Sequence, residues 1–388
     1  MTTSPAMHKP LVGEEHDHRL NALRAHLSDN ALSAVVITSP ETIFYLTGYS
    51  STAYYMPRAL IVTHEAVAAV VCDVEDGPLY TNSVVDQHYS WSLRQDPANA
   101  FATALTATVP AGHACGIQAG VNFSTIFTPE VYAAVVEHCG RVVRDVQIDH
   151  LRKVKSPSEL ANSRRAGALA AAGLRRGLDA LGAGVTELQI STEMLVGMIE
   201  EGGEVPASYP YTYFGPRSWR RMELPSHRAL QKDEPYYLEC GATAGRYGAS
   251  ILRTGYAGTA PTELRSIHTA AVSAFEAMLG ELRPGVRAGH IDDVATLALQ
   301  QHGLADSRIN KVAYSMGVGF PPGWGEAAVF DLHPANDRLV EEGMVFHLVS
   351  LLMSETFGAV GISETVEVTD AGARSLTECS RSLREGHL

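Results

Sequence analysis

Tyr314-Ser-Met-Gly-Val-Gly-Phe-Pro-Pro-Gly-Trp-Gly-Glu326, followed downstream by Ile362-Ser-Glu364, is the part of this chain on which the fold and the chemistry turn. Working outward, residues 344–353 and 362–368 read as apolar strands, the second ended by Thr369-Asp-Ala-Gly372. Residues 235–242 and 250–256 read as two more strands upstream. Helical patterns flank them at 161–181, 187–202, 261–282 and 291–302. Pairs of helices beside antiparallel strands, occurring twice, predict an α+β domain.

The boundary of that domain is marked by Leu151-Arg-Lys-Val-Lys-Ser-Pro-Ser-Glu-Leu160. Ser156 or Ser158 can cap the helix that follows, with Pro157 in its first turn. Ahead of it, residues 18–28 carry a helical pattern (Leu20, Leu23, Leu27) and 31–38 read as a buried strand. Residues 59–63 and 66–72 predict a hairpin of apolar strands. Strands and helices alternate to about residue 149, which predicts an α/β domain. The expected organisation is a disordered tail over 1–17, an α/β domain over 18–150 and an α+β domain over 151–388. His8 and His16 in the tail, with His18 at its end, could hold adventitious metal or belong to a plain tail.

At 388 residues, 45% of them hydrophobic, the chain suits two domains with well-filled cores. A formal net charge of −13 argues against nucleic acid or an anionic membrane as partner. It suits a small cationic or zwitterionic substrate. No apolar run approaches the roughly 20 residues of a membrane span, and the first residues lack a basic-then-apolar leader pattern. Five scattered Cys without a CxxC pair fit a reducing cytoplasm.

The quoted run resembles the catalytic strands of the pita-bread peptidase family, which includes prolidase, aminopeptidase P, methionine aminopeptidase and creatinase. Phe320-Pro-Pro-Gly-Trp-Gly-Glu326, Tyr314-Ser315, Phe346-His347 and Ile362-Ser-Glu364 are similar to a metal-free branch close to ectoine hydrolase and creatinase. Glu41-Thr-Ile-Phe-Tyr-Leu-Thr-Gly48 resembles the signature of the creatinase and prolidase N-terminal domain. Residues 151–160 resemble the family's entry to its catalytic domain. The resemblance covers roughly residues 18–373. It implies a creatinase-type α/β N-terminal domain followed by a pita-bread catalytic domain.

The family's metallopeptidases hold two ions, roughly 3.5–4 Å apart in such sites, with two Asp, one His and two Glu. Carried over by resemblance, the Asp positions fall on Glu239 and Ser250. The His of a Gly-His-Gly-Ile-Gly run falls on Tyr314, and the Glu positions fall on Val349 and Glu364. A neutral Ser, a phenol and a Val do not hold a divalent ion at useful affinity. The expectation is therefore no metal and no cofactor. A one-residue slip of a strand is the alternative, against which Arg253-Thr254 and Gly343-Met344 stand as flanking signatures.

Creatinase and ectoine hydrolase act at a carbon bonded to nitrogens and already cationic. A metal would repel such a carbon, whereas carboxylates attract and orient it. His227, in Leu224-Pro-Ser-His-Arg228, is the proton-transfer candidate, or a surface loop histidine. Glu364, Glu326 and Glu239 are the candidates for anchoring the cation and for general base. Glu364 has an alternative as a strand-end carboxylate paired with Arg253. Tyr314 either donates a hydrogen bond to substrate or fills the space of a lost ion.

Arg58, beside Tyr55, stands where creatinase uses an arginine of the neighbouring subunit. His333 stands where creatinase has a second arginine. The aromatic loop 209–221 is a lid or pocket-wall candidate, whose Trp219 and Tyr rings either stack on a flat cation or pack on the core. Cys240 is a nucleophile candidate with His227 as base, or a small core thiol.

These expectations add up to a cytoplasmic, metal-independent hydrolase of an amidine or guanidine C–N bond. The resemblance implies a homodimer in which one subunit's N-terminal domain covers the other's site. A lyase, cyclase or dehydratase on an amino-acid-derived metabolite, and a non-catalytic binding protein on the same frame, are the alternatives.

Overall fold

A computed structural model describes residues 13–53, 55–118, 129–144, 148–219 and 222–386. Most of the expected N-terminal tail, with His8, lies outside the described residues, as do Tyr54 and the Arg220-Arg221 end of the loop before His227. The chain divides into two compact units, Met1–Arg152 and Lys153–Leu388.

The first unit is built on six strands: β1 (Ala34–Ile37), β2 (Ala59–Thr63), β3 (Val67–Cys72), β4 (Gln87–Trp91), β5 (Ala114–Ile117) and β6 (Arg141–Arg144). Their order is β4-β3-β2-β1-β5-β6. The predicted hairpin is β2–β3, antiparallel, while β1–β5, β5–β6 and β3–β4 are parallel. Continuous apolar runs such as Ala-Val-Val-Ile suit strands covered on both faces. Leu20, Leu23 and Leu27 of α1 (Glu14–Asp29) cover one face. α2 (Pro40–Thr47) and α3 (Asp76–Asn82) follow β1 and β3. Phe101, Ala104 and Leu105 of α4 (Pro97–Thr108) cover the other face, and α5 (Pro129–His138) precedes β6.

The helix α1 starts earlier than expected. Glu14, Glu15 and Asp17 form an acidic first turn, favourable at the positive end of a helix, and His16 is buried. Residues 14–17 are therefore helix and not tail.

The second unit opens with α6 (Pro157–Asp179), capped by Ser156 and Glu159 in a reciprocal box, and α7 (Glu187–Glu200), capped likewise by Thr186 and Gln189. Then come β7 (Tyr211–Phe214), β8 (Pro235–Ala244), β9 (Tyr247–Tyr256), α8 (Thr262–Glu281) and α9 (Ala288–Gln300). The chain closes with β10 (Ala313–Phe320), β11 (Gly323–Gly325), β12 (Asp331–Leu332), β13 (Val345–Ser354), β14 (Gly358–Thr369), β15 (Gly372–Ser375) and β16 (Arg384–Glu385). These ten strands form one sheet whose main path runs β11-β10-β13-β14-β9-β8-β7.

The expected lid loop 209–221 is thus partly a strand. Tyr211–Phe214 pairs with Tyr236–Glu239 and extends the sheet, and Gly215–Trp219 is a 3-10 turn. Alternating aromatic and β-branched residues favour a pleated ribbon over a loop there.

All four helices lie on one face of this sheet. Leu238, Cys240, Ala249 and Ile251 pack under α6 and α7, and Phe346, Leu348, Ile362 and Val366 pack under α8 and α9. Arg253 pairs with Ile362 and Leu252 with Ser363, so the helix-covered face is continuous from β8 to β13. Because strand side chains alternate, the intervening residues form a second, inner face.

Candidate active site

The register fixes what the inner face carries. One cross-strand row reads Tyr211, Glu239, Leu252, Ser363, Val349 through β7, β8, β9, β14 and β13. The neighbouring row pairs Tyr314 with His347 and His347 with Thr365. Gly241 and Ser250 pair one step further along β8 and β9.

Glu239 is the acid that this face presents near Tyr314. It is partly exposed, and the Tyr237 hydroxyl donates to Oε2 at 2.5 Å. Around it stand rings. Tyr211 meets Tyr213 at 6.3 Å between centroids and Trp324 edge-on at 5.8 Å, and Tyr213 meets Tyr237 at 5.4 Å. Gly241 makes room for Trp324, since a Cβ there would lie 2.6 Å from the indole.

Tyr314, itself half-buried, is the centre of a hydrogen-bonded chain. Trp324 Nε1 donates to its hydroxyl at 3.1 Å. That hydroxyl lies 2.7 Å from His347 Nδ1, and His347 Nε2 lies 2.6 Å from Ser363 Oγ. Burial pushes the Tyr314 phenol above its ordinary pKa, and the Glu239 charge adds to this. Burial lowers His347 to about 3, so the imidazole is neutral at ordinary pH. Ser250 is fully buried and its Oγ has no hydrogen-bond partner.

Several predicted site residues stand elsewhere. Glu364 pairs in register with Leu348 and lies on the helix-covered face. Arg253 Nη2 donates to Oε1 at 2.6 Å, and Arg381 donates to both oxygens at 2.9 and 2.8 Å. This is the strand-end pairing and not a cation anchor; the inner-face position is Ser363. Overlaying Gly-His-Gly-Ile-Gly on Ser315-Met-Gly-Val-Gly319 likewise puts Met316 at the His position, with Tyr314 two residues earlier on the same face.

Glu326 is also on the reverse side. It fills the space beside Gly317, where a Cβ would lie 2.1 Å from Oε2, and lies 3.9 Å from Lys155 Nζ.

His227 is an exposed loop residue, and among the described residues no hydrogen bond or ion pair links it to Glu239, Tyr314 or His347. Trp219, at the end of the 3-10 turn, is exposed. His333 is exposed and accepts from the Ala335 backbone N–H at 3.2 Å, a turn role. In the first unit Tyr55 is exposed, while Arg58 is buried and lies 3.1 Å from Glu75. Burial lowers the Arg58 pKa against the pull of that carboxylate. It is therefore an internal ion pair, not an exposed arm.

Cys240 is buried on the helix-covered face, donates to the Ala170 carbonyl at 3.4 Å, and has its pKa raised by burial, which makes it an inert thiol. Tyr211 and Tyr213 belong to the stretch expected as a pocket wall, whereas His347, Ser363 and the Tyr237 ring escaped the sequence reading of the site. The Phe346-His347 and Ile362-Ser-Glu364 matches were the signals for His347 and Ser363.

Among the described residues no group of three or more His, Cys, Asp or Glu is arranged to hold a metal ion. Likewise no described helix is long and apolar enough to cross a membrane.

Residues 19–154 match the model of the creatinase/prolidase N-terminal domain, and residues 161–370 match that of metallopeptidase family M24. An ectoine hydrolase of Halomonas elongata is 24% identical over 400 residues, covering 96% of this chain and 98% of that protein. An Xaa-Pro dipeptidase of Pyrococcus furiosus is 21% identical over 369 residues, covering 94% and 99%. The crystal structure of a recombinant prolidase from Thermococcus sibiricus superposes with a TM-score of 0.85 at 20% identity, over 96% of this chain and all of that one. With the inner face of its sheet described and more than half its length matched by that model, the chain belongs to metallopeptidase family M24 and carries a creatinase/prolidase N-terminal domain ahead of the catalytic one.

Proposed function

We propose that this chain is a metal-independent hydrolase of a C–N bond at an amidine or guanidine carbon, acting on a small amino-acid-derived cation. One observation carries the reading. Where family members would gather five metal ligands, the inner face offers Glu239, two hydroxyls (Ser250, Ser363), a thioether (Met316) and an aliphatic side chain (Val349). One carboxylate with neutral, mostly apolar companions does not suit a pair of divalent ions. It suits a flat organic cation. Glu239 supplies charge-assisted hydrogen bonds to an N–C–N unit, and Tyr and Trp rings near such a charge add cation–π attraction.

In this reading Glu239 takes a proton from water as the oxygen bonds to the amidinium carbon. The tetrahedral adduct then collapses, the C–N bond breaks, and Glu239 returns the proton to the departing nitrogen. Tyr314 donates a hydrogen bond to the new oxygen. The reading extends to a cytoplasmic homodimer, the first from scattered cysteines without a CxxC pair and the second from the resemblance to creatinase.

The test is turnover of ectoine, hydroxyectoine, creatine and simple cyclic amidines in water enriched in heavy oxygen, with and without chelator. The expected result is one heavy oxygen in the product and a rate that chelator does not change. Product without solvent oxygen would instead indicate elimination or cyclisation. Cleavage of Xaa-Pro dipeptides only with added manganese or cobalt would return the chain to its peptidase relatives.

A further inference from the structure

We infer that His347 is a positioning residue which, with its ring proton held on Nδ1 by a hydrogen bond from Ser363, turns the Tyr314 hydroxyl hydrogen outward toward the Glu239 site. The inference deepens the hydrolase reading and rests on it only for the meaning of the outward hydroxyl.

The geometry allows two arrangements. The indole of Trp324 can only donate, so the Tyr314 oxygen already accepts one hydrogen bond, at 3.1 Å. A neutral imidazole has one donor and one acceptor nitrogen. With the proton on Nδ1, His347 donates to the Tyr314 oxygen across 2.7 Å, and Nε2 accepts the Ser363 hydroxyl across 2.6 Å. The phenol oxygen then accepts twice, and its own hydrogen is left for a third partner. With the proton on Nε2 the chain runs backwards. The Tyr314 hydrogen is spent on Nδ1, and Ser363 accepts.

The charge beside the chain selects the first arrangement. Both His347 and Ser363 are buried and the imidazole is neutral, so a doubly protonated ring that would blur the choice is excluded at ordinary pH. Of the groups packed round the chain, Val349, Met316 and Thr365 are uncharged, and Glu239 supplies the negative charge felt by Tyr314. A carboxylate on that side favours a hydroxyl hydrogen pointing toward it. A phenol that accepts two hydrogen bonds is also the better donor to an oxygen gaining negative charge, because hydrogen bonds in a chain polarise one another. Ser363 thereby acts through His347 and Tyr314.

The experiment is long-range proton–nitrogen NMR of the full chain with 15N-labelled histidine, the His347 signals being assigned by their loss in His347→Gln. The expected spectrum shows His347 neutral, with the proton on Nδ1, in the wild type. In Ser363→Ala that preference is lost, and Ser363→Thr restores it. In turnover, Ser363→Ala lowers kcat by about tenfold, with KM within about twofold, and Ser363→Thr recovers most of it. An Nε2 proton in the wild type, or an Nδ1 proton indifferent to Ser363→Ala, overturns the inference. Should no amidine be turned over, the hydrolase reading fails while the spectrum still decides the tautomer.

Discussion

Ser363 and Glu364 are neighbours in the chain and belong to different chemistries. Ser363 faces the inner side through its contact with His347, and Glu364 faces α8 and α9, tied to Arg253 and Arg381. Truncating one partner of a buried ion pair leaves an uncompensated charge and costs about 3–5 kcal/mol. Glu364→Ala is accordingly expected to lower the urea midpoint severely. Glu239→Gln should fold normally and lose at least about a hundredfold in kcat/KM, the usual scale for a missing acid–base group. His227→Ala, at an exposed loop position, should retain turnover within about twofold. A larger loss with unchanged melting would put His227 back in the site. Residue types were legible in the sequence. Facing was not. A slip of one residue moves a strand's whole side-chain set to the other face, and the Ile-Ser-Glu match gave no means of choosing between its last two members. The Tyr314–Met316 ambiguity arose the same way, across two residues of one face.

At the scale of elements, the sheet is shaped by where it lacks side chains. A Cβ on Gly241 would lie 2.6 Å from Trp324, and one on Gly325 would lie 2.5 Å from the Tyr314 ring. Gly241→Ala would therefore drive the indole off β8 and break its hydrogen bond to Tyr314. The expected cost is about 1–3 kcal/mol, typical of overpacking, with altered tryptophan fluorescence as the direct readout. The four helices and the principal strands were readable from periodicity, with their ends displaced by a few residues. The strand β7 was not, because two prolines and a glycine flank Tyr211–Phe214 closely and suggest a loop. Its pairing with β8 is long-range information that a local pattern does not contain. Tyr211 and Tyr213 were expected as pocket-wall rings, but on a loop and not on a strand of the sheet.

For the whole molecule, two buried neutral histidines predict how it fails in acid. Burial lowers His347 to about 3, and burial aided by the nearby Arg253 charge lowers His268 to about 4. Unfolded histidine titrates near 6.5. Below that pH the unfolded chain binds protons that the folded chain refuses, so stability falls as pH drops from about 6.5 toward 4. Every tenfold loss of proton affinity on folding is worth about 1.4 kcal/mol per histidine once the pH lies below both values. Melting followed between pH 7 and 4.5 should show a steep decline, and His268→Gln should flatten it; a flat wild-type profile would contradict the neutral assignment.

The inner face, with Glu239, Ser250, Val349 and Ser363, also has a pharmacological corollary. Hydroxamates and phosphinates silence two-ion peptidases by gripping the ions themselves, and on the proposed metal-independent reading this surface gives them no ions to grip. Small planar cations should block it instead, so the two inhibitor classes would exchange potency between this protein and its dipeptidase cousins.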